Sequence, residues 1–248
     1  MARYFNGSTD YYSLTHSPLT NEPFTIGCWF KVDALNVNYT LISLGNNGAS
    51  GYWRIYAAGS DQSNSLAGQK QNDSGSSLTV ITTVDYTAGN WHHAAMIGES
   101  DTRFQIYLDG TPGGETTTSL SDPTPDFVTI GALRRNAVIQ YLAGSVAEVG
   151  IWNSVLTNTD IRKLAQGYSP SMISPESLAV YVPLVREPYD QSGIAFPAFG
   201  TPVPSIHPRI IRPSRRPYLK GTITASPPPP PASPIVGRYS NLTMLGVT

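Results

Sequence analysis

Hydrophobic and polar positions alternate with period two through much of the first 155 residues. In FTIGCWFKV, Phe24, Ile26, Cys28, Phe30 and Val32 fall on one face and Thr25, Gly27, Trp29 and Lys31 on the other, the spacing of a half-buried strand. WHHAAMI repeats the pattern, with Trp91, His93, Ala95 and Ile97 on one side. Phe104, Ile106 and Leu108 mark a third strand that ends at Asp109-Gly110, a pair suited to the positive φ angles of a type I′ hairpin. Phe127–Ile130 predicts a short strand, and Leu142–Trp152 a long one in which Gly144 and Gly150 point to bulges or close backbone approach.

One helix interrupts the alternation. Thr157-Asn158-Thr159-Asp160 has the form of a capping box. Ile161, Leu164 and Ala165 follow at i, i+3 and i+4, and Gly167 is a natural stop. Leu178–Val182 reads as a further strand closing the sheets, and Asp190–Gly193 as a turn.

Composition agrees with strands and turns. Charged residues make up 13% of the 248, about half the usual share. The character changes after residue 195. Twelve of the 21 prolines lie in 191–248, five of them consecutive from Pro227 to Pro231, so this stretch is extended rather than a helix or a central strand. Residues 1–190 carry 10 basic and 17 acidic side chains, whereas 191–248 carry 6 basic and no acidic ones. The chain therefore divides into a sandwich over 1–195 and a Pro/Arg-rich arm over 196–248. Cys28 is the single cysteine, which rules out an intrachain disulfide. The segment MARYFNGSTDYY lacks the apolar core of a secretory signal. No apolar run approaches the ~20 residues that span a bilayer, so no membrane partner is expected.

The ordered pieces ARYFNGSTDYYSL, FTIGCWFKVD, NWHHAAMI, FQIYLDGTPGG, VTIGAL and LAGSVAEVGIWNSVLTNTDIRKLAQG resemble the laminin-G-like, concanavalin A-like domain over about residues 2–168. The resemblance implies an all-β fold: a two-sheet antiparallel jelly-roll sandwich with one short helix. Where the family has Asp-Glu in its penultimate strand, this chain has Ala147-Glu148. Relatives often hold calcium at the sandwich rim. Asp10 and Glu148 are the acids at matching positions, a calcium site weighed against ordinary turn and surface roles. Otherwise no cofactor is expected. The stretch from YVPLVREPYDQSG to IHPRIIRPS is similar to tails that follow this domain in structural proteins of tailed bacteriophages.

Catalytic chemistry is not expected. Glu99 and Asp101 have i, i+2 spacing but sit in a turn, and Asp122 and Asp126 flank Pro123 and Pro125 in a loop, so no pair of carboxylates spans a cleft. His92 and His93 point to opposite strand faces and cannot share a site, and no Ser-His-Asp set can be nominated. Sugar recognition could use Tyr52 and Tyr56, which share a face, with Asn46 nearby. The arm places Arg209, Arg212, Arg215, Arg216, Tyr218 and Lys220 among prolines, a partner-binding segment suited to acidic surfaces. Aromatics scarcely interleave these basic residues, so nucleic acid is not the expected partner. The reading is a non-enzymatic virion structural protein: a phage capsid decoration or cement protein held by its arm to neighbouring copies or to the major capsid protein. The alternatives are a carbohydrate-binding adhesion module, with a cell-surface glycan as partner, and an accessory domain of a glycoside hydrolase.

Overall fold

The computed structural model describes residues 2–48, 50–59, 64–185 and 194–213. In chain order the strands are β1 Ala2–Asn6, β2 Tyr11–Leu14, β3 Phe24–Val32, β4 Tyr39–Gly45, β5 Tyr52–Ala57, β6 Ser65–Gln71, β7 Ser77–Asp85 and β8 His92–Ser100. There follow β9 Arg103–Leu108, β10 Thr111–Thr116, β11 Phe127–Ile130, β12 Leu133–Arg134, β13 Val138–Ile139 and β14 Ala143–Trp152. After helix α1, Asn158–Ala165, come β15 Leu178–Val182, β16 Ala198–Phe199 and β17 Val203–Ser205.

Two antiparallel sheets stack face to face. The first runs β10-β9-β8-β3-β14-β1-β17, with β15 also paired to β14. The second runs β16-β2-β11-β4-β5-β6-β7. Phe24, Ile26, Cys28, Phe30 and Val32 all enter the core between them, as their alternation predicts. Phe104, Ile106 and Leu108 join from β9, and Trp53 and Ile55 come from the opposite sheet. Each such side chain contributes about 1.5–3 kcal/mol through burial. The remaining face of the first sheet packs on α1, where Ala95, Ile97, Tyr107 and Trp152 meet Ile161 and Leu164. Thr157 caps α1 by accepting from the Asp160 backbone N–H, and Gly167, at φ 92°, follows its end. His93 is packed in the interior, and burial holds its imidazole down to about pKa 4.

The turn between β9 and β10 has Asp109 at φ 50° and Gly110 at φ 76°, the conformation anticipated for this pair. On that side β10 closes against β7. A Cβ on Gly114 would sit 2.7 Å from the carbonyl oxygen of Ile81, so only glycine allows the approach.

The boundary expected at 195/196 lies inside the folded unit, which extends to Pro213. Phe196 is a core residue. β16 pairs with the free edge of β2, and β17 with the free edge of β1. The Ser169 amide donates to Ile211 O at 2.9 Å, and the Ile211 amide donates to Gly167 O at 2.6 Å. Residues 194–213 thus form a strap that covers one exposed edge of each sheet. Prolines suit it, because an edge strand needs its N–H groups on one side only. Arg215, Arg216, Tyr218, Lys220, the run Pro227–Pro231 and the turn at 190–193 lie outside the described residues.

Candidate functional site

A bulge in β14 decides where Glu148 points. In a regular strand Glu148 would face the core together with Val146. The register shifts between Ala147 and Gly150, and Glu148 adopts φ 54°. Val149 and Ile151 then take the core positions, and the carboxylate turns outward beneath the strap. Its side chain is fully buried. Glu148 Oε2 accepts from the Tyr181 hydroxyl at 2.5 Å, and Oε1 accepts from Arg212 Nη2 at 2.6 Å. His207 Nε2 lies 3.1 Å from Oε1. Burial, then the Glu148 charge, pushes the Tyr181 phenol well above its ordinary range.

Asp10 also serves the strap. Its Oδ1 accepts from the Thr201 amide at 2.9 Å, and its Oδ2 from the Asn6 amide at 3.3 Å. The two acids considered for calcium are therefore engaged by the chain itself: Arg212 supplies the cation at Glu148, and backbone N–H groups satisfy Asp10. Arg212, expected to face a partner, pairs with its own sandwich. Arg209 is exposed, and its carbonyl lies close to Gly167.

Among the described residues, Glu22, Asp101 and Asp122 form a separate acidic group whose ligand atoms lie within 4.8 Å of one another. Lys70 is inside it. The ammonium is buried and lies 2.6 Å from Asp122, 3.2 Å from Glu22 and 3.6 Å from Asp101. The Glu22 amide donates to Asp122 Oδ2 at 3.0 Å. Burial, reinforced by the Asp122 charge and opposed by Lys70, raises Glu22 to about pKa 7. The donor set suits a hard cation, but the lysine fills that role, so the group ties the loop before β3 to the loop before β11.

The outward face of the second sheet carries a polar row in register. Ser13 pairs with Thr129, Thr129 with Ser43, Ser43 with Arg54, Arg54 with Gln69, and Gln69 with Thr79. The segment from Gly131 to Tyr141, which includes β12 and β13, roofs the middle of this row. Ser43 Oγ donates to Ala132 O at 2.9 Å, and Arg54 Nη1 donates to Gln140 Oε1. Tyr52 and Tyr56 flank Arg54, whose guanidinium carbon lies 5.5 Å and 4.0 Å from their ring centroids. Both tyrosines are buried, so they pack against the guanidinium and do not form the sugar platform considered for them. Asn46 is at the rim, where its Nδ2 donates at 2.7 Å to both Thr124 O and Thr124 Oγ1.

Open aromatic surface lies instead along β2. Tyr11 and Phe199 stack with ring centroids 4.5 Å apart and planes 2° from parallel, and Tyr141 is 6.1 Å from Tyr11. Phe199 is 40% exposed. Tyr11 and Ser13 share the outward side of β2, and Thr15 follows the strand's end. Beside them, Arg134 donates to Ser13 Oγ at 2.8 Å and lies 3.6 Å over the Phe127 ring. Beyond Phe127 a cleft of about 620 Å³ opens, lined by Thr15, His16, Thr20, Asn47 and Asp126 among others. Asp126 Oδ2 accepts from the Asn47 amide at 2.9 Å. Aromatic row, arginine and cleft thus succeed one another along β2 and just past its end. Nothing local in the sequence marks this strip. Tyr11 and Phe199 are 188 positions apart, and only the β16–β2 register brings them together.

Residues 6–162 match the family described as the concanavalin A-like lectin/glucanases superfamily. The chain belongs to that superfamily. No curated protein matches its sequence. Among solved structures, a Bacteroides ovatus protein assigned as carbohydrate-binding superposes with a TM-score of 0.62 at 17% identity, covering 82% of this chain and 58% of that one. A domain of an extracellular arabinanase from Geobacillus stearothermophilus, in complex with arabinotriose, gives a TM-score of 0.54 at 18% identity, with 66% and 76% covered. A Ruminococcus gnavus sialidase carbohydrate-binding module bound to α2,3-sialyllactose gives 0.52 at 14% identity, with 66% and 98% covered. At these identities the likeness is one of fold within the superfamily.

Proposed function

We propose that this domain binds carbohydrate on the outward face of its second sheet, without catalysing a reaction on it. The observation that carries this reading is the strip along β2, where the Tyr11–Phe199 stack and the polar cleft are joined by Arg134. A sugar ring has an apolar C–H face and a rim of hydroxyls. It needs an aromatic surface for the first and fixed donors and acceptors for the second. The similar structures that hold arabinotriose and sialyllactose support the reading. Among the described residues lining the cleft, Asp126 is the one carboxylate, whereas glycoside hydrolysis uses two.

This reading takes precedence over the capsid decoration role. That expectation rested on the whole arm, 196–248, docking on a neighbour, and the described part of the arm does not need one. Residues 194–213 are held by their own sandwich, and the strap contributes Phe199 to the strip. Calorimetric titration against the glycans retained on an oligosaccharide array tests the proposal. Tyr11→Ala and Phe199→Ala are each expected to weaken binding at least tenfold with the fold intact. Unchanged affinity in both would refute the site.

A further inference from the structure

The charges around the cleft specify which glycans it admits. Asp126 is exposed in the cleft wall. Asp73 accepts from Thr124 Oγ1 at 2.6 Å. Thr124 and Asp126 together line a second, smaller hollow. Glu22, Asp101 and Asp122 lie outside the lining, around Lys70. Among the described residues lining the cleft there is no lysine or arginine. Lys70 is buried and shared by three carboxylates. Arg134, whose partners Ser13 and the Phe127 ring are both uncharged, is not among the residues that line the cleft. His16 is the remaining titratable base in the lining.

We propose that the cleft selects uncharged glycans and rejects those bearing a carboxylate, such as sialylated or uronate-containing chains, with Asp126 as the specificity-determining residue. The inference rests on the carbohydrate-binding reading above. An anionic sugar seated there would bring its charge within several ångströms of Asp126, and near a protein surface a like charge at that range is worth about a tenfold loss of affinity. Counter-ions screen exposed charges, so the discrimination should shrink as salt rises.

The test uses the full chain on an array that pairs each neutral glycan with its sialylated or uronate counterpart, at low salt and at roughly 0.5 M salt. Wild-type protein is expected to favour the neutral member by about tenfold or more, less so at high salt. Asp126→Asn keeps an acceptor for the Asn47 amide, and it is expected to lower the neutral-to-anionic ratio by about tenfold. A wild-type preference for the anionic member would overturn the inference, as would an unchanged ratio in Asp126→Asn, and either result would leave the carbohydrate reading standing. Retention of neither class would overturn the carbohydrate reading and this inference with it.

Discussion

Arg212 places its guanidinium 2.6 Å from the fully buried carboxylate of Glu148. One residue belongs to the strap, the other to a bulge in the central strand of the first sheet. Taking a carboxylate out of water costs several kcal/mol unless partners compensate. Here the Tyr181 hydroxyl and the Arg212 guanidinium do so together. Arg212→Ala removes the formal charge partner while the carboxylate stays buried. Because Arg212 is half-exposed and Tyr181 still donates, the expected loss is about 2 kcal/mol, below the range for a fully enclosed pair. Urea unfolding measures the loss, and hydrogen exchange should show amides 194–213 opening first.

The strap also guards the sheet edges. Removing residues 214–248 leaves β16, β17 and the Tyr168–Ile211 bridge intact, and the melting temperature is expected to stay within about 2 °C. Ending the chain at 195 instead removes Phe196 from the core and bares β1 and β2. Unpaired edges are templates for intermolecular pairing. Light scattering on the two truncations should find the first monodisperse and the second self-associating.

Cation dependence follows from the same contacts. Asp10 and Glu148 are satisfied by the chain, and Lys70 stands among Glu22, Asp101 and Asp122. A chelator should therefore leave the melting temperature of the wild-type protein unchanged. Lys70→Met leaves three neighbouring carboxylates without their cation. That variant should lose on the order of 3 kcal/mol and regain part of it in millimolar calcium, which carboxylate oxygens bind. Differential scanning fluorimetry with and without calcium distinguishes the two proteins.

These contacts mark how far the sequence could be read. β3, β8, β9, the Asp109-Gly110 turn and the cap at Thr157 were legible because each depends on local period or local turn chemistry. Glu148 was legible as a family position, but its partner was not, because Arg212 lies 64 positions away within a proline-rich segment. Composition marked that segment as extended, yet composition says nothing of whose edge it covers. Tyr52 and Tyr56 share a face as their spacing requires. Their burial comes with the Arg54 guanidinium packed between them under the roof that residues 131–141 form, contacts that strand periodicity cannot register.

The buried Glu22 carboxyl gives the fold a pH signature. Its pKa rises from an ordinary 4.5 to about 7 in the folded protein, so the folded state holds a proton that the unfolded state releases. The stability it contributes is complete below pH 4.5 and is lost as pH rises through 7. His93 acts in the opposite sense. Its pKa falls from 6.5 to about 4, so its contribution is present above pH 6.5 and is lost as pH falls through 4. Between pH 4.5 and 6.5 the two slopes offset each other. Glu22→Gln removes one of them and cannot ionise. Measured against the wild type, this variant should therefore gain stability steadily from pH 4.5 to pH 7, by about 3 kcal/mol at most. Denaturant midpoints of both proteins at half-unit pH intervals supply the difference. A difference that is flat across this window would mean that Glu22 ionises in the folded state as it does in water, and that Lys70 offsets its burial.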